Sequence, residues 1–177
     1  MKVFRVILFF FFLSNVLLAQ NSNGTVISSD PSFILAEEEI LAETNQAIIN
    51  QQGRRNEASI IQQQDGIEAN LAQIIQFGNF NEALLLQQGA GNVTSVSQNG
   101  HDNFYNLSLD GNKNRIDISQ NGDENRILQN LNGVSNANLA VDQDGNGNEV
   151  EQEFTGQSSL NLQIIQTGNN LKATIRQ

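Results

Sequence analysis

At intervals of eleven to thirteen residues the chain places a glycine, at Gly53, Gly66, Gly78, Gly89, Gly100, Gly111, Gly122, Gly133, Gly145, Gly156 and Gly168. An asparagine follows most of them three residues later, as in Asn56, Asn81, Asn92, Asn103, Asn114, Asn125, Asn136 and Asn148. So short a period marks a repeat architecture and has to be interpreted before any other motif. It also excludes a helical repeat, because Gly and Asn interrupt the pattern before a helix and its connection can be completed.

Between the glycines the residues alternate as a strand does, with side chains two apart on one face. Asn92, Thr94, Val96 and Gln98 share a face, and so do Asn114, Ile116, Ile118 and Gln120. The opposite face carries Val93, Ser95 and Ser97, then Arg115, Asp117 and Ser119, so one face is buried and the other is wet. Twelve strands follow, and pairing them gives a period near twenty-two residues. The odd strands close on Gln51, Gln76, Gln98, Gln120, Gln143 and Gln166; the even ones close on Gln64, Gln87, Leu109, Leu131, Phe154 and Gln177.

The predicted fold is all-β: a β-solenoid of six strand-turn-strand layers forming two facing parallel sheets, amyloid-like and cross-β. The layers span about 45–64, 70–87, 92–109, 114–131, 137–154 and 160–177. Stacking at about 4.8 Å brings like residues above one another. Asn45, Asn70, Asn92 and Asn114 then form one amide column on the odd sheet, and the closing glutamines form another. Ile49, Ile74, Val96, Ile118, Val141 and Ile164 lie between them. The even sheet stacks Asn56, Asn81, Asn103, Asn125 and Asn148 beside Ile60, Leu85, Leu107 and Ile127. Asn and Gln make up about a quarter of the chain, and such amides are costly to bury unless each finds partners, which a ladder supplies.

Residues 1–19 read as a secretory signal peptide: Lys2 and Arg5, an apolar run from Val6 to Leu13, and a small residue at Ala19. A membrane anchor is the weaker reading, because the run is short of a span and Asn15 interrupts it. Residues 20–44 lack the repeat, contain the only proline, Pro31, and read as a flexible acidic leader in which Glu37–Leu41 has some helical character. The formal net charge is -10, and loss of Lys2 and Arg5 makes the remainder more acidic still, which disfavours nucleic acid as a partner. With no cysteine, disulfides cannot stabilise the chain outside the cell.

The pattern Q-x-G-x-x-N, with a further Gln six residues after the Asn, resembles the curlin repeat over Asn45–Gln177. Gln51-x-Gly53-x-x-Asn56, Gln76-x-Gly78-x-x-Asn81, Gln98-x-Gly100-x-x-Asn103, Gln120-x-Gly122-x-x-Asn125 and Gln143-x-Gly145-x-x-Asn148 carry it. The resemblance implies a secreted structural subunit that self-assembles into extracellular curli-type functional amyloid fibres of biofilm matrix, on the bacterial surface, supporting adhesion. It implies as partners further copies of itself, a second curlin subunit, and an outer-membrane export channel with accessory factors that read the leader. Gly66 with Asn at four residues, Ser159 and Leu171 in place of Asn, and Leu109, Leu131 and Phe154 in place of Gln depart from the pattern. These departures keep open a minor subunit that nucleates fibres. A monomeric secreted solenoid that displays a binding face is the reading from another class.

Neither end of the stack shows a cap in the sequence, so Leu171–Gln177 is expected to pair with the Asn45–Gln64 end of the next molecule. Glu149, Glu151 and Glu153 fall beside Lys172, Thr174 and Arg176, and Lys172 and Arg176 would continue onto the Glu57 strand across the junction, Lys172 meeting Glu57 itself. Ile48, Ile61, Leu71, Ile75, Leu84 and Leu86 make the outward face of the first two layers more apolar. No enzyme, metal or cofactor is expected. Asp142-x-Asp144-x-Asn146-Gly147-x5-Glu153 matches a calcium loop by letter but lies between strands; His101-Asp102 is a lone pair in a turn. The glycosylation patterns at Asn92 and Asn106 fall inside repeat strands.

Overall fold

The computed structural model describes residues 44–177 and, for the backbone alone, 16–21. Thirteen strands run β1 Val16–Asn21, β2 Gln46–Arg54, β3 Glu57–Gln64, β4 Leu71–Asn79, β5 Glu82–Gly89, β6 Val93–His101 and β7 Phe104–Asn112. They continue as β8 Arg115–Asn121, β9 Arg126–Ser135, β10 Asn138–Asp144, β11 Glu149–Thr155, β12 Asn161–Thr167 and β13 Lys172–Arg176. No helix occurs among the described residues, and consecutive strands alternate between two parallel sheets. The six-stranded sheet is ordered β2-β4-β6-β8-β10-β12; the seven-stranded one is ordered β1-β3-β5-β7-β9-β11-β13. The fold is the expected β-solenoid of six layers, with β2 through β13 as its twelve strands.

Each corner combines close backbone packing with a left-handed residue. Gly53, Gly78, Gly100, Gly122, Gly145 and Gly168 stack at one corner, where a Cβ on Gly100 would lie 2.0 Å from the carbonyl oxygen of Gly122. With φ of +126° as well, Gly100 tolerates no side chain. At the other corner only Gly89 and Gly111 stack, followed by the carbonyl of Val134; Gly66, Gly133 and Gly156 fall outside that column. The residue before most inward corner positions is also left-handed: it is Gly91 before Asn92 and Gly147 before Asn148, but Arg55, Phe80, Asp102, Lys113, Glu124, Asn136, Ser159 and Asn170, with φ of 53–59°, are not glycine. Such residues are disfavoured by about 1–2 kcal/mol each, so the neighbouring ladders must hold them there.

Between the sheets lies a dry core. Ile49, Ile74, Val96, Ile118, Val141 and Ile164 share one register column as expected. Two expectations shift by two residues on the other sheet. Gln62, not Gln64, pairs with Gln87, because Gln62 is the residue six positions after Asn56 in the run Gln62-Gln63-Gln64. Gln64 instead meets Gly89 and bends its Nε2 onto the carbonyl of Gly66 at 3.0 Å. Likewise Gln129, not Ile127, continues the column of Ile60, Leu85 and Leu107, while Ile127 stacks on Tyr105.

An insertion sits where β7 meets β9. The register skips Gly133, so Gly111 pairs with Val134, which is fully buried. In consequence Asn136 takes the exposed left-handed position, and Ala137 occupies the inward corner where an Asn was expected. By the same offset Leu160, rather than Ser159, fills one corner of the last layer, while Leu171 fills the other as expected. The expected absence of a cap also needs correction: β1 pairs in parallel with β3, from Val16 opposite Glu57 to Asn21 opposite Gln62. The rest of the segments expected to be a signal peptide and a leader lie outside the described residues.

Candidate assembly interface

The buried amides form columns that run the length of the stack. Gln51, Gln76, Gln98, Gln120, Gln143 and Gln166 are joined by Nε2–Oε1 hydrogen bonds of 2.6, 2.7, 2.9, 3.0 and 2.8 Å in chain order. Each Nε2 donates to the layer that follows it. The second N–H of the same nitrogen crosses to the facing sheet: Gln76 donates to the carbonyl of Glu57, Gln98 to Glu82, Gln120 to Phe104, Gln143 to Arg126 and Gln166 to Glu149. One glutamine per layer therefore joins neighbouring layers and both sheets, which offsets the desolvation of its amide.

The asparagine columns run the other way. Asn81, Asn103 and Asn125 on one sheet, and Asn92 and Asn114 on the other, donate Nδ2 to Oδ1 of the preceding Asn at 3.0–3.3 Å. Their backbone N–H groups bind the same oxygen, as in Asn103 to Asn81 at 3.2 Å. The remaining Nδ2–H caps a corner carbonyl, Asn103 onto Gly122 at 2.7 Å for example. Asn45 and Asn70 begin the first column and Asn56 the second; Asn148 ends it by accepting the backbone N–H of Leu171 at 3.1 Å.

A third polar line inside the core has no counterpart in the sequence reading. The Tyr105 hydroxyl donates to Gln129 Oε1 at 2.6 Å, and Gln129 Nε2 donates to Gln152 Oε1. All three side chains are buried, and Gln152 Nε2 finds no partner among the described residues. Their inward places follow from the alternation of β9 and β11, the signal that would have revealed them. Burial pushes the Tyr105 phenol well above the usual tyrosine range. At the other end, Gln62 Nε2 donates to Gln87 at 2.9 Å, but Gln62 Oε1 is buried without a partner among the described residues.

Charges line the outer faces. Lys172 binds Glu149 at 3.0 Å, while Arg176 binds Glu151 at 3.0 Å and Glu153 at 3.5 Å. Glu57 stacks on Glu82, and burial first, then Glu57, raises the carboxyl pKa of Glu82 against the opposing pull of Arg126. Of the apolar outward positions, Ile61 and Leu86 are 45% and 42% exposed and Leu71, Ile75 and Leu84 are half-buried, but Ile48 is only 3% exposed and leaves the patch. His101 is one rung of an exposed turn ladder, between Asn79 at 3.0 Å and Asp123 at 3.4 Å. Asn92 is fully buried in its column, whereas Asn106 is half-buried on the outer face of β7.

These columns leave complementary groups at the two ends of the stack. Residues 68–104, which cover the second layer and reach into the third, match the family model of the curlin associated repeat. No curated protein and no solved structure matches the chain.

Proposed function

We propose that this chain, a member of the curlin family, is a secreted structural subunit that polymerises head to tail into extracellular fibres of biofilm matrix. The observation that carries this reading is the polarity of the ladders: glutamine N–H groups point toward the last layer and glutamine oxygens toward the first. One end thus offers what the other accepts, and an inverted neighbour would meet like groups. A sheet edge also exposes unpaired backbone donors and acceptors, and β12 and β13 carry no further strand among the described residues. The family further supports export through an outer-membrane channel with accessory factors.

The test is to release the chain from Gln20 to Gln177 from denaturant and follow fibre growth and diffraction. Growth after a lag, with a repeat near ~4.8 Å along the axis and abolished by deleting Leu171–Gln177, is the expected result. A stable soluble monomer overturns it and favours a binding module instead. A nucleating minor subunit is the second reading, favoured by Ala137, Leu160 and Leu171, which break the asparagine columns in the last two layers. That subunit would start a second curlin's growth without a lag.

A further inference from the structure

We infer that a second copy of this chain docks its first layer on the last layer in a register that continues six inward columns and leaves both asparagine corner columns uncontinued, making the joint between subunits the weakest rung of the polymer. The inference rests on the polymer reading and specifies its joint. The register follows from the molecule's own step. Glu57, Glu82, Phe104, Arg126, Glu149 and Lys172 occupy successive rungs of one column, so the rung after Lys172 is Glu57 of the second copy.

Carried inward, this step places Ala58 on Ala173, Ile60 on Ile175 and Gln62 on Gln177. On the facing sheet it places Ala47 on Leu162, Ile49 on Ile164 and Gln51 on Gln166. Apolar meets apolar and amide meets amide in all six. The Oε1 of Gln62, buried without a partner among the described residues, points to the same arrangement, since at Gln87 and from Gln76 to Gln166 that oxygen is filled by Nε2 of the preceding layer. Gln177 of the neighbour supplies such a donor.

The two corner columns differ. Inside the molecule Asn56 Oδ1 accepts both the backbone N–H and Nδ2 of Asn81, at 3.1 and 3.3 Å. At the joint the preceding corner is Leu171, which has no acceptor, so the backbone N–H of Asn56 in the second copy loses the oxygen that a complete rung provides, while its Nδ2 keeps the carbonyls of Gln52 and Gly78. On the facing sheet Leu160 precedes Asn45, in a column whose asparagine acceptors already end at Asn114 inside the molecule. The backbone at Leu171 is already that of a complete rung, with a left-handed Asn170 before it and its N–H on Asn148 Oδ1.

The side chain of Leu171 is 40% exposed, so Leu171→Asn can be introduced without emptying the core. The experiment compares the parent, Leu171→Asn and Leu171→Ala, each with and without residues 1–19, and measures the monomer concentration in equilibrium with fibres and their breakage under shear. Leu171→Asn is expected to lower that concentration about fivefold, one net hydrogen bond per joint, and to reduce breakage; Leu171→Ala should do neither. If the parent polymerises but the two variants behave alike, the register is wrong and the polymer reading stands. If the parent forms no fibres, both fall.

Discussion

Tyr105 is the only tyrosine and among the largest of the fully buried side chains, and its hydroxyl terminates the internal line through Gln129 and Gln152. Because the fold holds its pKa above the ordinary value, the unfolded phenol ionises first; stability is complete below about pH 10 and falls as pH rises beyond it. Tyr105→Phe should remove that alkaline loss while costing about 1–3 kcal/mol at neutral pH, because Gln129 Oε1 loses its donor. Denaturant midpoints of parent and variant between pH 7 and 11 check both effects, and equal midpoints at pH 7 would contradict the second. The sequence displays the glutamine and asparagine columns because they recur at fixed offsets. It hides Gln129 and Gln152 because they occur only twice, in a column that is aliphatic in the earlier layers, and three successive glutamines obscure which of them, Gln62 or Gln64, faces inward.

At the scale of elements, periodicity fixed the sheets and their order, while local irregularities set the details. The insertion at Gly133–Val134 displaces one residue into the core and moves Asn136 out of its column, a shift that a count from the preceding glycine does not detect. The pairing of β11 with β13 was legible from charge alone, since Glu149, Glu151 and Glu153 can be matched by Lys172 and Arg176 only in this register. The pairs are exposed and worth about 0.2–1 kcal/mol each, so their effect is on alignment rather than on driving force. Lys172→Glu with Arg176→Glu should slow elongation several-fold at low salt, with the difference shrinking as salt rises. Unchanged seeded growth at low salt would show that these charges do not guide docking.

Over the whole molecule, β1 was the unexpected element, because the apolar residues Val16 to Ala19 give no periodic sign of a strand. It lies on the edge of β3 at the six positions, Glu57 to Gln62, that β13 of a second copy would use. A cut after Ala19 leaves only Gln20 and Asn21 of it. The chain with residues 1–19 retained should therefore show a longer lag than the chain from Gln20, measured by seeded and unseeded turbidity; equal lags would mean that β1 does not compete. The opposed senses of the amide columns matter at this scale too. Glutamine dipoles along the axis point one way and asparagine dipoles the other, so their fields oppose each other in the layers that carry both. A filament made by repeating such a stack would build up less voltage between its ends than glutamine ladders alone would give it.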